Sequence, residues 1–202
     1  MPNILVVSSS AAGTESDSRA LALHFARQWA AHCSETTIIE RALDHSFPHY
    51  TLALMDGLKK GEGERSAKER DAIALSDTLC AEMIAADAIV IASPMYTLTI
   101  SSTLKAWFEY VNRRGVTFDV GEGGARGLMG GKHAIVICSR GSRFDGPALA
   151  HDLQLPVIKA ILDHFGIVDQ HIVRAEALAY PAERAASLAE AHSQLERLAA
   201  TL

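Results

Sequence analysis

Residues Ile4–Arg19 read ILVVSSSAAGTESDSR, and this stretch decides the fold class. Its first four residues form a continuous apolar run, which predicts a strand buried on both faces, as in a parallel sheet. The next twelve residues hold five serines and one threonine, and a helical pattern follows them. The hydroxyls therefore lie at a corner between a buried strand and a helix, where free N–H groups and the helix dipole favour an anion.

The same strand pattern recurs along the chain, and helical patterns separate its copies. The predicted strands are Asn3–Ser8, Thr36–Arg41, Ala88–Ser93, His133–Ser139 and Val168–Arg174. Between strands, apolar residues recur at helical spacing, as at Leu21, Phe25 and Trp29, and we interpret them as core positions. The alternation predicts an α/β fold, a three-layer sandwich whose five-stranded parallel sheet has the order 2-1-3-4-5 and helices on both faces.

Composition excludes several classes of function. The chain has 202 residues, which favours a single domain spanning residues 1–202. Its net charge of −5, with no basic block, argues against a nucleic-acid partner. The apolar runs are too short to span a bilayer, and the first begins too early to leave room for a signal peptide. We therefore expect a cytoplasmic protein with no membrane partner.

Metal and hydrolytic chemistry receive little support. Three widely separated cysteines form neither a disulfide framework nor a metal cluster. His45 and His49 are four residues apart, but Pro48 interrupts any helix that would hold both on one face. We therefore predict no metal site. Ser139 lies in CSRGS rather than in Gly-x-Ser-x-Gly, which argues against a hydrolase nucleophile.

Two segments interrupt the alternation of strands and helices. Residues 42–67 show no convincing periodicity and contain a proline, three glycines and a charged run. Long irregular segments of this kind are commonly functional or disordered, and we interpret this one as a flap near the site or a solvated insertion. The glycine-rich segment Gly121–Gly131 predicts either a hairpin or a lid.

In a sheet of this order, ligands bind beyond the carboxyl ends of the strands, where three corners meet. The first corner lacks the glycine patterns of nucleotide triphosphate and dinucleotide loops. Its hydroxyls at Ser10, Ser16 and Ser18 suit a terminal phosphate instead. Asp17 would contribute its backbone N–H group, with its carboxylate directed away from the anion. Simple capping of the helix by Ser16 or Asp17 is the alternative.

The other two corners suit a flat aromatic ligand. After Pro94, the pair Met95-Tyr96 offers apolar surface together with backbone polar groups, and Ser101 or Ser102 caps the helix that follows. In the third corner, small residues after Cys138 allow the backbone to approach a ligand edge closely. Those residues are Ser139, Gly141 and Ser142, with Arg140 and Arg143 adding positive charge.

Taken together, the three corners resemble the bacterial FMN-dependent NADH-azoreductase family, within the flavodoxin-like quinone reductases. The resemblance covers essentially the whole chain and rests on SDSR (Ser16–Arg19), ALSD (Ala74–Asp77), IVIASPMY (Ile89–Tyr96), GVTF (Gly115–Phe118) and IVICSRG (Ile135–Gly141). It implies a flavodoxin-like homodimer with one FMN per subunit and active sites at the dimer interface. It also implies a ping-pong cycle in which NADH delivers hydride to FMN N5 and a quinone or azo compound takes the electrons.

The resemblance also assigns roles to residues, with no catalytic side chain because the chemistry takes place on the flavin. The implied cofactor-binding residues are Ser10, Ser16, Asp17 and Ser18 for the phosphate, and Pro94, Met95, Tyr96, Thr97, Leu98, Ser139, Arg140, Gly141 and Ser142 for the isoalloxazine. The implied substrate pocket contains Lys59, Val120, Arg143 and Ile161.

The chain departs from the family pattern at several pocket positions. Thr97-Leu98 stands where the family often has Asn-Phe, and Val120 and Ile161 stand where aromatic residues are usual. These changes predict a less aromatic pocket over the flavin. Two alternatives remain: another flavodoxin-like NAD(P)H-dependent reductase, acting on nitroaromatics or using FAD with quinones, and a non-enzymatic flavodoxin-type electron carrier.

Overall fold

The computed structural model describes residues 2–33 and 35–202. Its strands are β1 (Asn3–Ser8), β2 (Thr37–Ala42), β3 (Ala88–Pro94), β4 (Phe118–Gly121), β5 (Gly124–Gly127), β6 (His133–Ser139) and β7 (Asp169–Ala175). Five of them form a parallel sheet in the order β2-β1-β3-β6-β7. Counting only these five strands, the order is the predicted 2-1-3-4-5, and each lies within one residue of its predicted bounds.

Helices cover both faces of the sheet, which confirms the three-layer sandwich. They are α1 (Asp17–His32), α2 (Leu52–Gly57), α3 (Ala67–Ala85), α4 (Ser102–Val111), α5 (Gln154–His164) and α6 (Pro181–Ala199). Because side chains alternate along a strand, Ile4 and Val6 pack in one core with α1 and α6, whereas Leu5 and Val7 pack in the other with α3, α4 and α5. Among the described residues, no helix is long and apolar enough to cross a membrane.

Residues 42–67 are more ordered than the sequence predicts. They contain α2, whose first turn is capped by the Thr51 hydroxyl accepting from Leu54 N at 3.3 Å. Leu43 and Leu54 are buried in the core, and α2 packs against α3. The absence of periodicity was misleading because α2 has only six residues, too few to show a repeat. A role for this segment as a flap stays a prediction.

The glycine-rich segment forms a hairpin, the first of its two predicted alternatives. β4 and β5 pair antiparallel, from Phe118 opposite Gly127 to Gly121 opposite Gly124. Backbone bonds anchor the following residues, with Leu128 N donating to Thr117 O at 2.9 Å. At Gly127 the hairpin backbone touches the turn after α5 so closely that a Cβ there would lie 2.0 Å from Gly166 N.

Candidate active site

The carboxyl ends of β1, β3 and β6 lie side by side, so the three predicted corners meet. Ser8 is paired in register with Ala92, and Pro94 with Ser139. Backbone bonds continue beyond the strands: Ser9 N donates to Ala92 O at 3.2 Å and Met95 N to Ser139 O at 2.9 Å. The loops after these three strands therefore form one continuous surface at the carboxyl edge of the sheet.

The first loop places serine hydroxyls at the start of α1. Gly13, at φ +55°, opens a short 3-10 turn that ends at Ser16. Ser16 then caps α1, its Oγ accepting from Arg19 N at 3.3 Å. The first-turn N–H groups of a helix have no acceptor within the helix, so those of Asp17 and Ser18 remain suited to an anion. The cap and an anion site are compatible here.

Two further predicted phosphate residues have clear contacts. The Asp17 carboxylate lies against the start of α6, where its Oδ1 accepts from Arg184 Nη2 at 2.7 Å. Arg184 therefore offsets the negative charge beside the first turn of α1. Ser18 is fully buried, and its Oγ lies 3.1 Å from Ser16 Oγ. In this arrangement the Ser18 hydroxyl supports Ser16, and its direct role at a phosphate stays a prediction.

Tyr96 links the first loop to the second. Its hydroxyl accepts from Ala11 N at 3.0 Å and lies 3.3 Å from Ser10 Oγ. Ser10 Oγ in turn accepts from Ala12 N at 3.2 Å. Tyr96 as a whole remains 40% exposed, so it can present an apolar face while its hydroxyl holds the serine loop.

The second loop is a tight two-residue turn in a conformation that its residues disfavour. Tyr96 and Thr99 exchange both backbone bonds, at 2.9 and 3.1 Å. The central residues Thr97 and Leu98 have φ values of +43° and +69°. Positive φ at both positions defines a type I′ turn, which favours Asn-Gly, and a β-branched threonine is an outlier there. Leu153 N donates to Leu98 O at 3.0 Å, which holds the turn against the start of α5.

Replacing Thr97 with asparagine is expected to stabilise the protein by about 0.5–1 kcal/mol, because asparagine tolerates positive φ and each strained residue stores about 1–3 kcal/mol. Urea unfolding of the apoprotein measures the change. Thr78→Asn is the control, because Thr78 lies in the ordinary helical backbone of α3 and should shift stability by less than about 0.5 kcal/mol. A destabilised Thr97→Asn variant, or one no better than the control, would contradict the strain argument.

Arg140 lies inside the protein rather than on the ligand surface. Only 2% of it is exposed. Its Nη2 lies 2.7 Å from Asp152 Oδ2, and its Nη1 lies 3.0 Å from Glu176 Oε1. Nε donates to Gln154 Oε1 at 2.9 Å, and Gln154 donates onward to Ser93 O at 2.8 Å. The Arg140 charge is therefore neutralised by the buried Asp152 and the partly buried Glu176, and we assign the Arg140 side chain to loop structure.

The rest of the third loop offers backbone rather than charge. Gly141 and Ser142 are exposed, and Gly141 O accepts from Ala179 N at 3.0 Å. Arg143, the other predicted cation, pairs with Glu183 of α6 at 2.6 Å. Burial raises the pKa of the neighbouring Cys138 thiol to about 11, so this thiol stays protonated at neutral pH and is unsuited to nucleophilic chemistry.

A cavity of about 450 Å³ opens beside the first two loops. Its lining residues are Ser9, Ser10, Ala11, Gly13, Leu43, Asp44, His45, Tyr96, Ser101, Ser102 and Thr103. Ser10 and Tyr96 are thus shared between this cavity and the predicted site, whereas the third loop lies outside the lining that the structure describes. Ser101, one of two predicted caps, begins α4 here by accepting from Leu104 N at 3.1 Å.

Comparison with known proteins places the chain in a family. A family profile described as flavodoxin-like fold matches residues 2–199. FMN-dependent NADH:quinone oxidoreductase 2 of Pseudomonas putida is 40% identical over 179 residues, covering 88% of this chain and 89% of that protein. The chain belongs to the flavodoxin-like family of quinone reductases. The FMN-dependent NADH:quinone oxidoreductase of Hyphomonas neptunium is 37% identical and covers 100% of this chain and 97% of its own.

Solved structures agree with this family assignment. An azoreductase from Bacillus anthracis superposes with a TM-score of 0.90 at 23% identity, covering 100% of both chains. An FMN-dependent NADH-azoreductase from the same species, solved in complex with FMN, gives a TM-score of 0.87 at 25% identity, covering 99% of this chain and 98% of its own. The first likeness establishes the fold, and the second extends it to a structure that contains the flavin.

The predicted substrate-pocket residues of this quinone reductase family member each have different surroundings within one chain. Lys59 follows α2 and lies 4.0 Å from Asp56, and Arg143 is engaged by Glu183. Val120 is exposed on the hairpin. Ile161 lines a separate cavity of about 180 Å³ between α4 and α5. The grouping of these four residues into one substrate pocket therefore stays a prediction.

Sequence reasoning missed the residues that hold the loops in place. Asp152, Gln154 and Glu176 fix Arg140, and Arg184 fixes Asp17. Their separations from their partners run from 12 to 167 residues. No local spacing rule detects contacts at such distances, so only the fold reveals these supports.

Proposed function

We propose that the protein is an FMN-dependent NADH:quinone oxidoreductase that also cleaves azo compounds. One observation carries the proposal. The serine-capped start of α1, the strained turn at Thr97–Leu98 and the open backbone at Gly141 meet at a single edge of the sheet. Relatives that carry the quinone oxidoreductase name match nearly the whole chain, as described above.

The first loop fits the phosphate of FMN. A monoester phosphate has three outward oxygens and accepts from many small donors, and this corner offers hydroxyls at Ser10 and Ser16 with the N–H groups of the first turn of α1. The Asp17 carboxylate, at the start of α1, is engaged by Arg184. The donor set therefore suits a dianion without a lysine.

The second and third loops fit the flavin ring. A two-residue turn leaves the N–H groups of its central residues outside its own hydrogen bonds, so Thr97 and Leu98 can donate to polar atoms at a ring edge. Tyr96 and Leu98 supply exposed apolar surface for the ring face. Because Arg140 is buried and paired, the third loop contributes backbone N–H groups to the ligand rather than a cation. Bound FMN supplies the two-electron chemistry between NADH and the acceptor.

The proposal includes a homodimer in which a second subunit completes the substrate pocket. Two observations support it. The predicted pocket residues have different surroundings within one chain, and two large apolar side chains in the segment before α5 are exposed, Leu149 by 57% and Leu153 by 52%. Light scattering on the purified holoprotein should give twice the mass of the chain. We also propose a cytoplasmic location, because the three cysteines carry free thiols.

Reconstitution and turnover test the function directly. The purified protein should take up FMN and become yellow, and NADH should bleach this colour in an anaerobic stopped-flow experiment. Re-oxidation by a panel of quinones and azo compounds then ranks the acceptors. Colourless protein that takes up no FMN would refute the proposal. Bound FMN that NADH does not bleach would indicate an electron carrier instead.

Ser16→Ala is expected to weaken FMN binding about 5- to 150-fold, equivalent to about 1–3 kcal/mol for one lost hydrogen bond to an anion. Fluorescence titration of the apoprotein with FMN measures the change. Since Ser16 also caps α1, the matched control is Ser66→Ala, which removes the equivalent cap from α3. Equal FMN affinity in Ser16→Ala and wild type would place the phosphate elsewhere.

A further inference from the structure

A cluster of two histidines and an aspartate lies at the opposite edge of the sheet from the candidate active site. His133 begins β6, and Asp169 and His171 lie at the start of β7. His133 Nδ1 is 2.7 Å from Asp169 Oδ2, and His171 Nε2 is 3.0 Å from Asp169 Oδ1. One ligand atom from each residue lies within 4.8 Å of the other two.

The strand register explains why these three side chains converge. His133 is paired in register with Asp169, and register partners in a parallel sheet project from the same face. His171 follows Asp169 by two positions, which returns it to that face. Ile135 and Val173, each two residues further along, pack in the core with α1 and α6. The cluster therefore lies on that face of the sheet, at the end where β6 and β7 begin.

The hydrogen bonding of the cluster is incomplete. The carboxylate bonds the His133 ring through Oδ2. His171 Nε2 is near Oδ1 but is not aligned for a hydrogen bond, and within the described residues this solvent-shielded nitrogen has no hydrogen-bond partner. Burying a polar nitrogen without a hydrogen-bond partner costs free energy, and the lone pair of such a nitrogen can bind a metal ion instead.

We propose that His133, Asp169 and His171 bind one divalent transition cation, of which Zn²⁺ is the representative. Two imidazoles and one carboxylate form an established ligand set for such ions, with a fourth position left to water. Bonds of about 2.0–2.1 Å at tetrahedral angles place ligand atoms about 3.3 Å apart. The two histidine nitrogens therefore need to approach each other by about 1.5 Å at most, and the carboxylate oxygens need to move away from them by about 0.3–0.6 Å. Each side chain is partly exposed, which leaves an entry path.

The position of the site predicts what a bound cation would do. β7 is the edge strand of the sheet, and the cluster joins its first residues to β6. β6 is seven residues long, so the cluster lies about 20 Å from the loop that follows β6 in the candidate active site. The cation would therefore clamp the edge strand and stabilise the fold, and it is independent of the proposed oxidoreductase chemistry.

Zinc binding to untagged, chelator-treated protein tests this proposal. Competition with a chromophoric chelator should show one Zn²⁺ per chain. His171→Gln and Asp169→Asn should each weaken binding by at least about 100-fold, more than the loss of a residue that only supports a ligand. At a Zn²⁺ concentration about 100 times Kd, the wild-type unfolding midpoint should rise by about 5–10 °C.

Controls separate this site from other zinc ligands. The double variant His45→Ala/His49→Ala should bind like wild type, and so should Cys33→Ser, which removes the half-buried thiol. Circular dichroism without metal identifies variants that fail to fold. The proposal is overturned if wild type binds no Zn²⁺ at about 100 μM, or if folded His171→Gln and Asp169→Asn both bind as tightly as wild type.

Discussion

Replacing Arg140 with methionine is expected to lower the free energy of unfolding by about 3–5 kcal/mol. Methionine preserves much of the side-chain volume but leaves Asp152 without its cation. Asp152 has only 4% of its side chain exposed, and Glu176 has 16%, so water cannot replace the lost partner effectively. The buried amide of Gln154 also loses its donor. An uncompensated buried charge is among the largest single-residue penalties in folded proteins.

Chemical denaturation of the apoprotein measures this loss, with Arg143→Met as the matched control. Arg143 also pairs with a glutamate, but both partners are about half exposed, so its loss should cost at most about 1 kcal/mol. The double variant Arg140→Met/Asp152→Asn should recover part of the stability, because the more deeply buried of the two unpaired charges is removed. A loss below about 1 kcal/mol in Arg140→Met would show that solvent reaches the network.

The same substitution should weaken flavin binding. Arg140 N donates to Ala175 O at 2.9 Å, and Leu178 N donates to Arg140 O at 3.1 Å, so the backbone of this residue is fixed between strand ends. These two bonds do not involve the side chain, but the side chain ties the loop to Asp152, Gln154 and Glu176, and without those ties Ser139–Ser142 should shift at the proposed ring edge. Arg143→Met should leave FMN affinity close to wild type.

Gly127→Ala is expected to destabilise the protein by about 3–4 kcal/mol, at or beyond the upper end of ordinary overpacking. The added Cβ would lie 2.0 Å from Gly166 N, 2.1 Å from Phe165 C and 2.4 Å from Phe165 O. These are backbone atoms, so no rotamer change can relieve the overlap. The hairpin would have to separate from the turn after α5 and lose the bond from Met129 N to Phe165 O.

Gly121→Ala provides the control within the same hairpin. Among the described residues, no atom that the added methyl group would newly contact lies within 4 Å of its Cβ, so the change should stay within about 0.5 kcal/mol. Both variants are compared by urea unfolding and by quinone turnover, because the hairpin carries Val120 of the proposed pocket. Similar stability of the two variants would contradict the close backbone approach at Gly127.

The main sheet was predictable because its three central strands, β1, β3 and β6, are buried on both faces. A strand such as β6 then shows as an apolar run, AIVIC, that no surface helix would carry. The order of strands is the one common to five-stranded doubly wound sheets. The short helix α2 was not predictable, since six residues give no period, although Thr51 carried a capping signal.

The loops of the candidate site were predictable, but the residues that hold those loops in place were not. Serines, Met95-Tyr96 and Gly141 lie next to strand ends, where local sequence is informative. Arg140 appeared to be a surface cation because it lies in a glycine-serine segment, and its carboxylate partners are 12 and 36 residues away. The histidine–aspartate cluster could not be predicted for the same reason, because His133 and Asp169 are 36 residues apart in sequence.

The bond between Ala11 N and the Tyr96 hydroxyl has a consequence for the kinetics of cofactor capture. It orders the serine loop as part of folding, so the entropy of fixing that loop, about 1–2 kcal/mol per residue, is already lost before a flavin arrives. Binding then requires little rearrangement on the phosphate side. FMN association should accordingly follow a single bimolecular phase. Tyr96→Phe should slow this phase, because the loop would then sample several conformations before binding.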